Sequence, residues 1–243
     1  MQSLRPDAVA HLTGMLYNVA RPNGIVLPGT AGKFWSDGTV QTWPGNTFIC
    51  HLDSASDAFA AIREMQETAK RSEFNRFFTF LPPSSFHMTI LQGVTAACRQ
   101  GDGWPQDVSA GATRDTISAE LLKRTADLRL PSSFRVRFID LFAGSSLTIA
   151  GADDGEEKKL RSVRKAIRDA ARIPQAGFDE YVFHISYAYQ LEFVSETLAS
   201  EITAFSMELS NRFRDRLGEI ELGPVEFCHF ETMHHYTPIR LFR

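Results

Sequence analysis

The sequence contains little cysteine and no long hydrophobic run, and both features narrow the class of protein. Its 243 residues include three cysteines, Cys50, Cys98 and Cys228, which cannot all pair within one chain and show no Cys-x-x-Cys spacing. A disulfide scaffold or a zinc ribbon is therefore disfavoured. The N-terminus lacks the apolar core of a signal peptide, and no apolar run approaches membrane-spanning length. We expect a reduced, soluble, cytoplasmic protein that has no membrane partner and no obligate protein partner.

An excess of one charge sign is also missing, because the formal net charge is only −3. The chain as a whole does not attract nucleic acid, so any binding of a polyanion must be local. No Gly-x-Ser-x-Gly motif is present, which disfavours a serine hydrolase. Residues 29–34 resemble a phosphate-binding loop, but Leu27 stands where its first glycine belongs and Phe34 replaces the Ser or Thr that holds magnesium. We reject that interpretation.

A metal site is disfavoured by strand geometry. The candidate ligands come as adjacent pairs: Cys50 with His51, Cys228 with His229, and His234 with His235. Neighbouring residues on a strand point to opposite faces, so these ligands converge poorly. The sequence therefore predicts no metal ion and no cofactor.

Two histidine strings carry most of the chemical information. His87 and Thr89 lie in the run Phe-His-Met-Thr-Ile, and His184 and Ser186 lie in the run Phe-His-Ile-Ser-Tyr. Residues two apart on a strand share a face, so each string predicts an imidazole beside a hydroxyl, with apolar neighbours directed at a core. Acid–base chemistry on a phosphate needs these groups.

The spacing of histidine to hydroxyl is weak by itself, because four of the seven histidines show it. His11 lies in a helical pattern, where residues two apart do not share a face. His235 lies near the start of the last predicted strand, without an aliphatic alternation before it. Only His87 and His184 follow Phe, lie within a strand pattern and come after a strand and a helix, so context selects these two.

The order of predicted elements repeats. Residues 47–52 form a strand, residues 54–57 have capping-box spacing with a helical pattern behind them, and the first histidine strand follows. Residues 134–149 form a strand pair, 156–172 a helix and 181–190 the second histidine strand. Strands joined by hairpins and mixed with helices predict an α+β fold with mostly antiparallel sheets.

The remaining segments are predicted as follows. Residues 6–18 form a short helix, 24–32 a loop and 33–43 a hairpin that turns at Asp37 and Gly38. A loop at 93–111 precedes a helix at 116–128. The helix at 156–172 has a basic stripe, which we interpret as a solvated surface rather than an RNA contact: Lys158, Arg161, Lys165, Arg168 and Arg172.

The two strings, His87-Met-Thr-Ile and His184-Ile-Ser-Tyr, resemble the His-x-Thr/Ser motifs of the two-histidine (2H) phosphoesterase superfamily. That superfamily includes bacterial RNA 2′,3′-cyclic phosphodiesterases, also described as 2′-5′ RNA ligases. The resemblance covers roughly residues 47–242 and is to an uncharacterised bacterial branch. The sequence departs from the common pattern by an N-terminal extension, a long segment at 93–133, and Tyr187 where leucine is usual.

The resemblance implies two pseudo-symmetric lobes, each a small antiparallel sheet with outer helices, that face each other across a cleft. Residues 1–45 are then an extension, 46–133 the first lobe with the inter-lobe segment, and 134–243 the second lobe. A tyrosine late in the chain is expected near the cleft as a substrate-binding residue. Tyr236 is the candidate, although strand alternation means that His235 and Tyr236 cannot both face inward.

The leading functional hypothesis is a metal-independent hydrolase that opens a 2′,3′-cyclic or related phosphodiester of a small nucleotide or an RNA end. His87 and His184 act as acid and base, with Thr89 and Ser186 donating to the phosphoryl oxygens. The main alternative is a non-catalytic module that binds a nucleotide or phosphorylated ligand in the same cleft. A third is a structural protein with two incidental histidine strands. The sequence does not decide which histidine is the base.

Overall fold

The computed structural model describes residues 4–95, 98 and 100–243, and within them lie five α-helices and twelve strands. Residues 1–3 of the predicted N-terminal extension and residues 96, 97 and 99 of the predicted loop lie outside this part. The helices are α1 (Ala8–Thr13), α2 (Asp57–Lys70), α3 (Arg114–Arg124), α4 (Asp154–Ala171) and α5 (Glu196–Phe213). The strands are β1 (Ile25–Val26), β2 (Phe34–Trp35), β3 (Gly45–His51), β4 (Phe78–Phe80), β5 (His87–Thr95), β6 (Phe134–Phe142), β7 (Ser146–Gly151), β8 (His184–Ser186), β9 (Ala188–Gln190), β10 (Glu219–Leu222), β11 (Glu226–Thr232) and β12 (His235–Leu241).

Each α-helix begins where a short polar side chain caps it. An N-cap side-chain oxygen accepts one of the backbone N–H groups that the first turn leaves without a partner. The Oδ1 atom of Asp7 accepts from the amide of Ala10 at 2.7 Å at the start of α1. The same bond starts the other four helices, whose caps are Ser56, Thr113, Asp153 and Ser195.

One eight-stranded antiparallel sheet organises the molecule, in the order β10-β6-β7-β8-β5-β3-β11-β12. Strands β12, β11, β3 and β5 form one half, and β8, β7, β6 and β10 form the other. The halves meet where β5 pairs with β8, so the two histidine strands are neighbours at the centre of the sheet. The predicted α+β class with two lobes and mostly antiparallel strands is confirmed.

The two faces of this sheet are covered differently. The large core includes Met88 and Ile185, both fully buried, together with apolar residues of all five helices. A second, smaller apolar cluster gathers residues of the N-terminal segment and of β11 and β12. Its buried members are Ile25, Phe34, Ile49, Leu81, Leu191, Cys228, Phe230, Met233 and Tyr236.

Two predicted elements differ from the structure. The predicted strand at 181–190 is interrupted at Tyr187, whose amide donates to the carbonyl of Ser145 and whose carbonyl accepts from Leu81. After this interruption the chain leaves the large sheet, and β9 pairs with β4 in a sheet of two strands. The predicted hairpin at 33–43 keeps its turn, but β2 pairs in parallel with β1, inside the segment predicted as a loop.

None of the helices in the described ranges is both long enough and apolar enough to cross a membrane.

Candidate active site

A cavity of about 500 Å³ lies at the junction of the two halves of the sheet. Its wall includes all five residues that the sequence singles out: His87, Thr89, His184, Ser186 and Tyr236. The structure therefore brings together side chains that lie far apart in the chain. Their catalytic and binding roles stay predictions.

The register between β5 and β8 explains this convergence. Met88 lies opposite Ile185 in an antiparallel pair, so His87 lies opposite Ser186 and Thr89 lies opposite His184. Directly opposed residues share a face of the sheet, and both apolar partners are fully buried on the other face. The two histidines are diagonal neighbours, a relation that typically separates Cα atoms by about 7–8 Å. A single phosphate fits between side chains at that spacing.

Both imidazoles are held in the same way. Nδ1 of His87 lies 2.7 Å from the carbonyl oxygen of Ser85, and Nδ1 of His184 lies 2.9 Å from that of Val182. A carbonyl oxygen only accepts, so each Nδ1 carries the proton and donates it. Each Nε2 is thereby left as the nitrogen that can take up or release a proton.

Burial disfavours the protonated, charged form of both imidazoles. Desolvation lowers the pKa of His87 to about 4, although its bond to the Ser85 carbonyl acts in the opposite direction. Desolvation likewise lowers the pKa of His184 to about 4, and the nearby charges of Arg5 and Lys33 contribute to the same direction. Both rings are therefore neutral at pH 7 without a ligand. A bound anion favours the protonated form of a neighbouring imidazole.

The surroundings of the two histidines differ in charge. The ring centroid of His51 lies 6.3 Å from that of His87, and Nδ1 of His51 lies 2.8 Å from Oε2 of Glu226. His51 and His184 act to lower the pKa of His87, and Glu226 acts to raise it. The charged groups that act on His184 are cations, because Arg5 and Lys33 both act to lower its pKa. The carboxylate thus lies on the His87 side and the cations on the His184 side.

Tyr236 packs directly on the first histidine. The centroid of its ring lies 4.3 Å from that of His87, and its hydroxyl donates to the sulfur of Met233 at 3.6 Å. Tyr236 is buried and His235 is exposed, as strand alternation requires. Tyr236 therefore lies in the cavity wall beside His87, and its role as a substrate-binding residue stays a prediction.

Sequence reasoning missed two groups of cavity residues. One group, three aromatic residues and a methionine, belongs to or packs against the smaller apolar cluster: Trp43, Tyr189, Phe230 and Met233. A polar group comes from β5, α4 and the segments that follow them: Gln92, Asp102, Arg164, Gln175 and Tyr181. Of these, Arg164 could have been noticed in the sequence, because a cation between Leu160 and Ile167 lies on the apolar face of the helix.

Three other side chains could hold a metal ion. One ligand atom from each of His51, Glu226 and Cys228 lies within 4.8 Å of the other two, the one such group among the described residues. They come from β3 and β11, so the convergence arises across strands rather than from the adjacent pairs considered in the sequence. Burial raises the pKa of the Cys228 thiol, which opposes the thiolate form that binds metals.

Residues 33–146 match the family model 2H-phosphodiest, described as a domain of unknown function (DUF1868). This match confirms the resemblance to the two-histidine phosphoesterases. It supports a phosphoesterase-type hydrolase function without indicating a substrate. The matched range contains His87 and Thr89, whereas His184 and Ser186 follow it. No match was found among curated proteins.

Two solved structures are similar to this chain to different degrees. A conserved protein of unknown function, ATU0111 from Agrobacterium tumefaciens str. C58, is similar with a TM-score of 0.87 and 24% sequence identity, over 98% of this chain and 100% of that chain. TT0787 of Thermus thermophilus gives a TM-score of 0.42 and 16% identity, over 81% of this chain and 96% of that chain. The first similarity shows a shared fold across nearly the whole chain.

Proposed function

We propose that this protein hydrolyses a 2′,3′-cyclic or related phosphodiester of a nucleotide or an RNA end, without a metal ion. The observation that carries the proposal is the matched pair of imidazoles on one cavity. Each has Nδ1 committed to a backbone carbonyl two residues earlier, and each has a hydroxyl two residues later. Incidental histidines have no reason to share this arrangement.

Hydrolysis needs one imidazole in each protonation state. Nε2 of the neutral ring takes a proton from water as its oxygen forms a bond to phosphorus. The bond from phosphorus to a ring oxygen breaks, and the protonated imidazole gives its proton to that oxygen. The hydroxyls of Thr89 and Ser186 donate to the non-bridging oxygens, where negative charge is concentrated. The site ends with its protons exchanged between the two histidines.

The unequal surroundings favour one assignment of these roles. Glu226, which bonds His51, supports a positive charge on His87 and partly offsets the opposing effects of His51 and His184. At His184 both acting charges, Arg5 and Lys33, oppose a positive charge. Because a carboxylate acts on His87 alone, we assign the acid to His87 and the base to His184.

A second candidate function is a binding module that holds a phosphorylated ligand without turnover. The observation that favours it is the low pKa of both imidazoles, about 4, because the ligand-free site then holds no protonated acid at pH 7. Catalysis requires the substrate anion to raise the pKa of one ring. Binding without turnover does not require either imidazole to become protonated.

A turnover assay distinguishes the hydrolase from the binding module. It measures turnover of 2′,3′-cyclic nucleotides and 2′-5′-linked oligonucleotides with a chelator present. We expect turnover that falls by at least about 100-fold in His87→Ala and in His184→Ala, since each removes an acid–base group. His235→Ala is a matched control, because its side chain is exposed and belongs to a strand outside the central pair.

The pH profile supplies a further check. Because the pKa of both free imidazoles is lowered to about 4, the bell-shaped profile of kcat/KM should reach its maximum below pH 6.5. Tight binding of the cyclic nucleotides without turnover at any pH would establish the binding module instead. Turnover abolished by the chelator would contradict the metal-independent reaction.

A further inference from the structure

Lys33 presents a positive charge to the cavity without a carboxylate partner. Lysine ion pairs in the described residues are formed by Lys70, Lys159 and Lys165, and Lys33 forms none. Its Nζ lies 5.2 Å from the ring centroid of Tyr189, another residue of the cavity wall. This charge is therefore available to a ligand.

The N-terminal segment holds Lys33 in place. The amide of Lys33 donates to the carbonyl of Gly24 at 2.9 Å, and its own carbonyl accepts from the amide of Gln41 at 2.9 Å. A Cβ atom on Gly24 would lie 2.7 Å from Cδ of Lys33, so the glycine leaves room for the lysine side chain. The cation is thus brought to the site by a segment that lies outside the two predicted lobes.

Arg164 is a second cation in the cavity wall, and it is only 2% exposed. Its guanidinium donates to the carbonyl of Ile90 and, at 3.1 Å, to Oε1 of Gln175. It lies 4.0 Å from the ring centroid of Tyr181, and its Nε has no hydrogen-bond partner in the described structure. No described carboxylate forms an ion pair with it; desolvation lowers its pKa to about 10, which leaves it charged at pH 7.

These two cations give the cavity a local positive charge. The other charged residue in its described wall is Asp102, whose Oδ1 accepts from the amide of Ala176 at 2.6 Å. A buried cation without a counter-ion is costly, and a bound anion offsets that cost. One phosphodiester carries a single negative charge, which the histidine site already uses. The volume of about 500 Å³ lies within the range of pockets that hold nucleotide-sized ligands.

We propose that the cavity binds a phosphodiester that carries a second phosphate group, and that Lys33 and Arg164 recognise this second group. The inference rests on the proposed function, since it takes the histidine site to be the place of the first phosphate. It assigns to this chain a specificity for nucleotides that carry two phosphate groups.

The test compares adenosine 2′,3′-cyclic phosphate with the same nucleotide bearing a 5′-phosphate. We expect kcat/KM to be at least about tenfold higher for the 5′-phosphorylated substrate, the size of effect that a charge-assisted hydrogen bond gives. In Lys33→Met and in Arg164→Met this ratio should fall by about tenfold. Lys158→Met, an exposed lysine without an ion pair in the described structure, is the matched control and should keep the ratio.

Arg164 is buried, so Arg164→Met is used only where its circular dichroism matches that of the wild type, and Lys33→Met otherwise carries the test alone. Equal kcat/KM for the two substrates in the wild type overturns the inference. A ratio that Lys33→Met leaves unchanged overturns the assignment of Lys33.

A binding measurement separates this inference from the proposed reaction. Calorimetry compares adenosine 3′-phosphate with adenosine 3′,5′-bisphosphate on the wild type and on Lys33→Met. If neither cyclic substrate is turned over but the bisphosphate binds about tenfold more tightly, and Lys33→Met removes that preference, the recognition stands and the hydrolysis fails. Equal binding of the two compounds, together with no turnover, overturns both.

Discussion

The pKa values of the two imidazoles predict how the stability of the protein depends on pH. In the unfolded chain a histidine has a pKa near 6.5, whereas desolvation lowers the pKa of His87 and of His184 to about 4 in the folded protein. Between these values the unfolded chain binds more protons than the folded one. The free energy of unfolding therefore rises as the pH increases from 4 to 6.5, and it gains nothing further from these groups above that range.

The size of the effect follows from the same values. The difference between a pKa of 6.5 and one of about 4 corresponds to about 3 kcal/mol for each imidazole. Both side chains remain partly exposed, and water in the cavity screens their charge. We therefore expect each histidine to contribute about 2 kcal/mol to the difference in unfolding free energy between pH 4 and pH 6.5.

Urea unfolding measures this contribution. It compares the wild type with the double variant His87→Asn and His184→Asn at half-unit steps from pH 4 to pH 8. Asparagine keeps a donor for each backbone carbonyl but does not titrate. The double variant should lose about 4 kcal/mol of the rise between pH 4 and 6.5, while the exposed His235→Asn should retain it. Equal slopes in the wild type and the double variant would refute the lowered pKa values, and with them the argument that a substrate must raise one of them.

Substitutions at two further positions test the packing of Tyr236 on His87 and the close approach of the backbone at Gly151. Tyr236→Ala should raise KM by about tenfold because it removes the ring that packs on His87. Tyr236→Phe should raise KM by less, because among the described residues the hydroxyl bonds to Met233 alone. A larger effect of the phenylalanine in steady-state kinetics would contradict this. Gly151→Ala should lower the free energy of unfolding by about 3 kcal/mol, since the new Cβ would lie 2.2 Å from the amide nitrogen of Glu157. Urea unfolding measures this change. Gly223→Ala is the control, because a Cβ there meets no atom within 4 Å.

The candidate site residues could be predicted from the sequence because the pattern that indicates them lies within a few neighbouring residues. Alternation along a strand assigns His87 and Thr89 to one face and Met88 to the other, and the structure places Met88 in the core and both polar side chains on the cavity. Helix starts are also local: the capping-box spacing at 54–57 predicts the start of α2, although Ser56 rather than Ser54 is the residue that caps it. The interruption at Tyr187 is different, because it depends on hydrogen bonds to Ser145 and Leu81, which are distant in the chain.

The residues proposed to recognise a second phosphate could not be predicted from the sequence, for a related reason. Lys33 follows a loop-like segment, and its place on the cavity depends on the parallel pairing of β1 with β2, two strands of two residues each. Such short strands leave no periodic pattern in the sequence. Arg164 differs from the predicted basic stripe of α4 only by its position on the apolar face, and its partners Gln175 and Tyr181 lie beyond the end of that helix.

The architecture separates the reaction from its selectivity. The central pairing of β5 with β8 gives two imidazoles with equivalent carbonyl bonds, which is sufficient for proton transfer to and from any phosphate between them. Residues outside that symmetric pair then make the two sides unequal: the His51–Glu226 pair lies beside His87, and Lys33 lies on the side of His184. Changes to the N-terminal segment should therefore alter which nucleotides are accepted more than the chemistry, whereas a change in register between β5 and β8 should abolish the reaction itself.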